Sequence, residues 1–130
     1  MSEVLGCTLL LVDDEEANLD LLEVLLEGEG YTALIRTSDA REAIPLWERH
    51  APDLVLLDLH LPDISGEEVL RRLRADPRTA GIPVVVVSAD ATAASLERLR
   101  VAGADAYLTK PLDIEEFLTV VDRILPGVAG

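Results

Sequence analysis

The chain has 130 residues, a length that suits one compact domain able to bury roughly two thirds of its unfolded surface. With 11 Lys and Arg against 25 Asp and Glu, its net charge is −14, so it repels phosphate backbones and anionic membrane surfaces, and we expect neither direct nucleic-acid binding nor membrane attachment. Hydrophobic residues make up 49% of the chain but aromatic residues only 3%, which predicts a core of aliphatic side chains.

Short apolar runs alternate five times with longer segments of helical period. We predict strands at residues 7–12, 31–35, 54–57, 84–87 and 106–108. The first and fourth runs lack the polar alternation of a half-exposed sheet, so both faces should be covered, as in a parallel sheet. The alternation therefore predicts right-handed crossovers and a doubly wound α/β domain.

The helical segments differ in how clearly the sequence marks them. Glu15 and Glu16 favour the positive N-terminal end of the first helix, and Gly28 and Gly30 mark its exit. The fifth helix has the cleanest apolar face. Its apolar residues are Ile114, Phe117, Leu118, Val121 and Leu125.

Two helices give weaker signals. Asp39 and Glu42 have the spacing of a capping box for the second helix, but Pro45 should kink or shorten it. Trp47 and His50 are interpreted there as a packing residue and a helix-end residue. The fourth helix, roughly residues 92–102, is rich in Ala and should be loosely held and mobile. Its large apolar residues are Leu96, Leu99 and Val101.

Polar side chains follow four of the predicted strands. Asp13 and Asp14 follow the first strand, Asp58 the third, Ser88 the fourth and Lys110, the only lysine, the fifth. In open parallel sheets the site lies at the carboxyl ends of the strands. Clustered carboxylates repel one another unless a cation lies among them, and oxygen ligands favour magnesium, calcium or manganese. A hydroxyl and an ammonium could hold phosphoryl oxygens beside them, with Asp58 as the nucleophile.

Each of these residues also has an ordinary structural interpretation. Asp13 and Asp14 could cap the first helix, Asp58 could form a turn, and Ser88 could cap the fourth helix. Lys110 could be a solvated surface charge. Together, those interpretations require four strands to end in site-compatible residues by accident, so the combination favours a phosphoryl and metal site.

Four stretches resemble the receiver domain of bacterial two-component response regulators: residues 10–15, 56–66, 86–89 and 103–111. They contain the Asp13-Asp14 pair, Asp58 with Gly66 further on, Ser88-Ala89 and Lys110-Pro111. The resemblance extends over nearly the whole chain and implies a single receiver domain over residues 1–130. It also implies a flavodoxin-like, CheY-like fold, a five-stranded parallel sheet in the order 2-1-3-4-5 flanked by five helices.

The resemblance implies a role for each site residue. Asp58 would accept a phosphoryl group from a phosphohistidine on a sensor histidine kinase or phosphotransfer protein. Mg²⁺ would be bound by Asp14 directly, by Asp13 mostly through water, by Asp58 and by the backbone carbonyl of His60. Ser88 and Lys110 would hold the phosphoryl oxygens. The bond before Pro111 is expected to be cis and to aim the lysine inward.

The resemblance further implies a conformational switch. Ser88 would move to the phosphoryl group and Tyr107 would turn inward, changing the surface of the fourth helix, fifth strand and fifth helix for a downstream protein target. Tyr107 could equally be a half-buried core aromatic. The side chains of His60 and Asp90 are candidates to influence phosphoryl lifetime. Dimerisation on phosphorylation stays open, and the implied role is that of a signalling domain, not an enzyme.

Three other functions are alternatives to a phosphoacceptor. A dehalogenase-type phosphatase resembles an Asp-x-Asp pattern, but His60 occupies the second position here. A flavodoxin-like electron carrier needs a hydroxyl-rich phosphate loop, where this chain has four acidic residues in a row. A receiver-like interaction module that works without phosphorylation is disfavoured because every expected site residue is present.

The cellular compartment follows from two further features. The one cysteine, Cys7, lies in an apolar run, where we predict a buried small hydrophobe, and it cannot form an internal disulfide. The N-terminus has neither a basic export region nor a long apolar stretch. We therefore predict a cytoplasmic protein.

Overall fold

A computed structural model of the protein describes residues 7–90 and 92–125. Its strands are β1 (Thr8–Val12), β2 (Ala33–Thr37), β3 (Leu54–Asp58), β4 (Val84–Ser88) and β5 (Ala106–Thr109). Its helices are α1 (Glu16–Gly28), α2 (Ala40–His50), α3 (Gly66–Ala75), α4 (Ala93–Ala102) and α5 (Ile114–Ile124). The strands form one parallel sheet in the order β2-β1-β3-β4-β5. The predicted fold class and strand order are confirmed.

The sheet is covered on both faces, as its apolar runs predict. Alternate strand residues point to opposite sides, so Leu9 and Leu11 pack with α1 and α5, whereas Leu10 and Val12 pack with α2, α3 and α4. Every residue of β3 and β4 is buried. Asp58 and Ser88, the last residues of these two interior strands, are therefore buried at the carboxyl edge of the sheet.

β2 begins two residues later than predicted. Tyr31 is not in the strand: its N–H donates to the carbonyl of Leu26 at 3.1 Å, and Gly30 before it has a positive φ of 100°. Tyr31 therefore closes the C-terminus of α1, although its side chain is buried like that of a strand residue. The paired strand starts at Ala33, opposite Thr8.

α2 departs from two predictions. Asp39 caps the helix by accepting from the Arg41 N–H at 2.8 Å, but the capping box does not form, because Glu42 accepts from the Thr37 hydroxyl at 2.7 Å. The helix also runs through Pro45 to His50, so the expected shortening was wrong. Its buried face, which includes the fully buried Trp47, packs on both sides of the proline and supports the helix there.

The predicted contrast in packing between the last two helices is confirmed, although Ile114, which was placed on the apolar face of α5, is 49% exposed. α4 buries only Ser95 and Leu99, whereas α5 buries Phe117, Val120 and Val121. Cys7 packs against the core on the α1 and α5 side, as predicted for a small hydrophobe, but it is only partly buried. Within residues 7–90 and 92–125, no helix has the length and apolarity to cross a bilayer. The tail predicted at residues 126–130 lies outside the described residues.

Candidate functional site

The four strand ends bring the predicted polar residues to one edge of the sheet. Asp58 and Ser88 are the last residues of β3 and β4, and Asp13 and Lys110 directly follow β1 and β5. One carboxylate oxygen each from Asp13, Asp14 and Asp58 lies within 4.8 Å of the others. Asp13 and Asp58 are 2% and 4% exposed, while Asp14 is open to solvent. The cluster is a mostly buried negative site that is accessible to solvent at Asp14.

The two buried carboxylates each divide their oxygens between the local turn and the site. Asp13 Oδ1 accepts from the Glu15 N–H at 2.9 Å, and Asp58 Oδ1 accepts from the His60 N–H at 3.2 Å. The other oxygen of each faces the Lys110 ammonium, at 3.1 Å for Asp13 and 3.5 Å for Asp58. The turn-forming bonds and the cluster therefore coexist, and the local bonds fix how each carboxylate is aimed.

Lys110 reaches the cluster from the loop after β5. Its N–H donates to the carbonyl of Ser88 at 2.9 Å, and the Lys110–Pro111 peptide is cis, as the family resemblance implies. Burial lowers the pKa of Lys110, but the bond to Asp13 and the charges of Asp13 and Asp58 outweigh it and raise the pKa overall. The ammonium is a fixed positive charge at neutral pH.

Asp58 carries the strongest electrostatic signal at the site. Its pKa is raised to about 6, chiefly by burial and then by the negative charge of Asp13, although Lys110 and the His60 N–H offset part of the rise. One ammonium thus does not neutralise the cluster. Additional positive charge near these oxygens would relieve the repulsion among them.

The donor set suits a hard divalent cation. Three carboxylates with no sulfur or imidazole in the cluster match the oxygen ligands that Mg²⁺, Ca²⁺ and Mn²⁺ prefer. Asp14, which is exposed, leaves an open side where waters or a phosphate oxygen could complete the coordination of Mg²⁺. The backbone carbonyl of His60 stays a predicted ligand.

Ser88 and Tyr107 lie on adjacent strands next to the cluster. Ser88 is fully buried and its Oγ accepts from the Asp90 N–H at 3.2 Å. Among the described residues, the buried Tyr107 hydroxyl has no hydrogen-bond partner of good geometry. Burial raises the pKa of Tyr107, and the proximity of Ser88 offsets part of that rise. The Tyr107 hydroxyl is therefore already inside the protein, so a switch at this position would not have to bring it in from solvent.

Two further residues support the site. Asn18 was not predicted from the sequence, and Gly66 was noted only as the end of a motif. Asn18 donates to Asp13 Oδ2 at 3.4 Å and to Glu15 Oε1 at 2.9 Å, a contact signalled only by its place in the first turn of α1. Gly66 opens α3 where a Cβ would collide with the backbone of Asp58 and Leu59. Glycine there lets α3 approach the end of β3 closely.

A cavity of about 290 Å³ adjoins the cluster between α1 and the loop after β5. Asp13 and Lys110 form part of its lining, and Leu21, Leu22 and Leu112 contribute apolar walls. The site is thus open toward α1 as well as toward Asp14.

Comparison with known proteins gives a consistent result. Residues 9–122 match the model of the family described as response regulator receiver domain. The chain is 38% identical over 118 residues to the polar-differentiation response regulator DivK of Brucella anthropi, which covers 91% of this chain and 95% of that relative.

Two solved structures share the fold over nearly their full length. A CheY-like response regulator receiver domain protein from Methanospirillum hungatei has a TM-score of 0.85 and 30% identity, covering 95% of this chain and 96% of the other. The receiver domain of a sensor histidine kinase from Pseudomonas aeruginosa has a TM-score of 0.84 and 29% identity, covering 93% and 98%. That second structure has a magnesium ion coordinated in its active-site cleft.

Proposed function

The chain belongs to the response regulator receiver domain family of two-component systems, and from that premise we propose that Asp58 is its phosphoacceptor. A bond would form between a carboxylate oxygen of Asp58 and phosphorus as the bond from phosphorus to a histidine nitrogen of the partner breaks. The observation that carries this proposal is the Lys110 ammonium placed 3.1 Å from Asp13 and 3.5 Å from Asp58. Such a transfer mainly needs alignment and charge neutralisation.

The residues of the cluster would divide the work. Asp13, Asp14, Asp58 and the carbonyl of His60 would hold Mg²⁺, which supplies positive charge to the phosphoryl oxygens. Lys110 would hold one phosphoryl oxygen and the Ser88 hydroxyl another. With a pKa of about 6, Asp58 is mostly ionised at neutral pH and able to attack.

The partners follow from this role. The donor would be a sensor histidine kinase or a phosphotransfer protein, and the phosphorylated domain would present a changed surface on α4, β5 and α5 to a downstream protein. Direct nucleic-acid contact is disfavoured by the net charge of −14. Ser88 and Tyr107 are the proposed switch residues, and whether the phosphorylated chain dimerises is a separate question for sizing experiments.

Intact-protein mass after incubation with acetyl phosphate tests the proposal. A phosphoryl adduct should form with Mg²⁺, disappear with a chelator and be absent from Asp58→Asn. Asp63→Asn is a matched control, because this acidic side chain lies in the following loop and is 60% exposed. It should keep the adduct.

An adduct that persists in Asp58→Asn would contradict the proposed acceptor. If the wild type forms no adduct, beryllofluoride with Mg²⁺ tests for a short-lived product. Failure of both probes would favour an interaction module that works without phosphorylation.

A further inference from the structure

Asp90 connects the buried Ser88 hydroxyl to the first turn of α4. Its N–H donates to Ser88 Oγ at 3.2 Å, and its Oδ2 accepts from the Ser95 hydroxyl at 2.7 Å. Its Oδ1 accepts from the Thr92 N–H at 3.1 Å. One residue thus bonds to the end of β4 through its backbone and to α4 through its side chain.

This connection matters because α4 has few other attachments to the core. Of its ten residues only Ser95 and Leu99 are buried, and Ser95 is 4% exposed. Leu99 lies one turn further along, so Ser95 is the buried contact nearest the N-terminus of the helix. At the opposite end, the Arg74 guanidinium donates to the carbonyl of Gly103 at 2.8 Å and 3.1 Å.

The bond from Ser95 to Asp90 is charge-assisted. The Ser95 hydroxyl is the largest cause that lowers the pKa of Asp90, followed by the Thr92 N–H, so the carboxylate is ionised at neutral pH. A short hydroxyl-to-carboxylate bond is stronger than a neutral one, and it is the kind of directional contact that is lost completely when its partners separate.

We propose that Asp90 and Ser95 form a latch that positions Ser88. The hydrogen bond between their side chains holds the loop after β4 in the arrangement in which the Asp90 N–H donates to Ser88 Oγ. The proposal rests on the proposed function, in which Ser88 moves to a phosphoryl oxygen. A hydroxyl can accept one hydrogen bond while it donates another, so it is the displacement of Ser88 Oγ that would break the bond from the Asp90 N–H. The latch opposes that displacement. Asp90 and Ser95 are positioning residues and touch no reacting atom.

The latch makes a directional prediction about ligand affinity. A contact present only in the resting arrangement lowers the apparent affinity of any ligand that needs the other arrangement. Ser95→Ala should therefore bind beryllofluoride with Mg²⁺ about threefold to tenfold more tightly than the wild type, the shift that corresponds to one hydrogen bond. Alanine is a good helix former, so the variant should fold.

Two variants separate this effect from general loosening of α4. Thr92→Ala removes the side chain that accepts from the Ser95 N–H at 3.2 Å, but leaves the Asp90–Ser95 bond in place. It should change the affinity less than about twofold if only the latch matters. In a Ser88→Ala background, Ser95→Ala should have no effect, because the latch acts through Ser88. Equal effects of Thr92→Ala and Ser95→Ala, or an undiminished effect without the Ser88 hydroxyl, would overturn the proposal.

The exchange rate of the Asp90 amide hydrogen in the ligand-free protein tests the latch without any phosphoryl ligand, because this N–H donates to Ser88 Oγ. Ser95→Ala should speed exchange of this amide severalfold, and Thr92→Ala should not. A wild type that binds no beryllofluoride would contradict the proposed function, and the exchange result would still decide the latch. Unchanged Asp90 exchange in Ser95→Ala would overturn the latch whatever the ligand does.

Discussion

α4 and α5 flank the same edge strand, β5, but are attached to the protein in different ways. Each begins with a side-chain cap, Thr92 accepting from the Ser95 N–H and Asp113 accepting from the Glu116 N–H. α5 buries a continuous apolar face of Phe117, Val120 and Val121. α4 buries one apolar side chain, Leu99, and one hydroxyl, Ser95.

The difference indicates which helix can respond to the site. Burial of apolar surface is non-directional and is lost only when the helix leaves the core. Directional polar bonds such as those from Ser95 and Arg74 can be exchanged one at a time. A change of charge at the carboxyl edge of the sheet should therefore displace α4 far more readily than α5.

The largest expected effect tests the attachment of α5. Phe117→Ala should lower the free energy of unfolding by about 3–5 kcal/mol, because the side chain is fully buried and leaves a cavity. Leu96→Ala on α4, where the leucine is 37% exposed, should lower it by less than about 1 kcal/mol. Urea denaturation measures both, and equal losses would show that apolar burial holds α4 as firmly as α5.

The next prediction concerns the hydrogen bonds that hold the C-terminal end of α4. Arg74→Met should destabilise the protein by about 1–3 kcal/mol, because the carbonyls of Gly103, Ala80 and Ile82 lose a common donor. Arg72→Met is the matched control, since that side chain is 51% exposed and pairs, within the part of the chain that the structure describes, with Glu68 alone. It should change stability by less than about 1 kcal/mol. If both variants lose the same stability, the Arg74 contacts do not fasten α4.

A third prediction concerns the site itself, through pH. The pKa of Asp58 is raised by folding, so the folded state binds more protons than the unfolded chain between about pH 4 and pH 6, and stability falls as pH rises through this window. Asp58→Asn should therefore gain about 1–2 kcal/mol at pH 7.5, less than the full shift because Lys110 loses one partner.

Thermal unfolding in chelator at several pH values measures this effect. The gain of Asp58→Asn should vanish below about pH 4, where both states of the wild type are protonated. A gain that is independent of pH would mean that the buried charge of Asp58 is not its source.

The outer face of α4 should contribute least to stability. Val101→Ser on α4 should leave the free energy of unfolding within about 0.5 kcal/mol of the wild type, because Val101 is 72% exposed. Val121→Ser on α5 is its counterpart, and denaturation should show a clear loss there, since this valine is 2% exposed. An appreciable loss in Val101→Ser would show that the outer face of α4 contacts more than the solvent.

The sequence predicted the fold because its strongest signals are local. The unbroken apolar runs of β3 and β4 identify strands that are covered on both faces of the sheet. The polar residues that end these strands identify the edge that carries the candidate site. Tyr31 was misplaced because a helix end and a strand bury an apolar residue equally well. Pro45 was overrated because packing on both sides of it outweighs its local effect.

Two kinds of contact could not be predicted from the sequence: those between residues far apart in the chain, and those made by loops outside the paired strands. The Arg74 guanidinium reaches the carbonyl of Gly103 29 residues away, and nothing in the sequence distinguishes it from the neighbouring arginines. The Asp90–Ser95 bond likewise depends on the path of the loop after β4. The candidate site residues could be identified from the sequence, but the hydrogen bonds around them are visible only in the three-dimensional structure.

The central question is whether occupancy of the Asp58 site is transmitted to α4. Hydrogen exchange of the whole domain, measured with and without beryllofluoride and Mg²⁺, answers it. The predicted result is a change at the β4–α4 loop and the first turn of α4, little change at Phe117 and Val121, and no response in Asp58→Asn. Ligand binding that leaves the exchange of α4 unaltered, or alters α5 as much as α4, would show that occupancy of the site is not transmitted to α4.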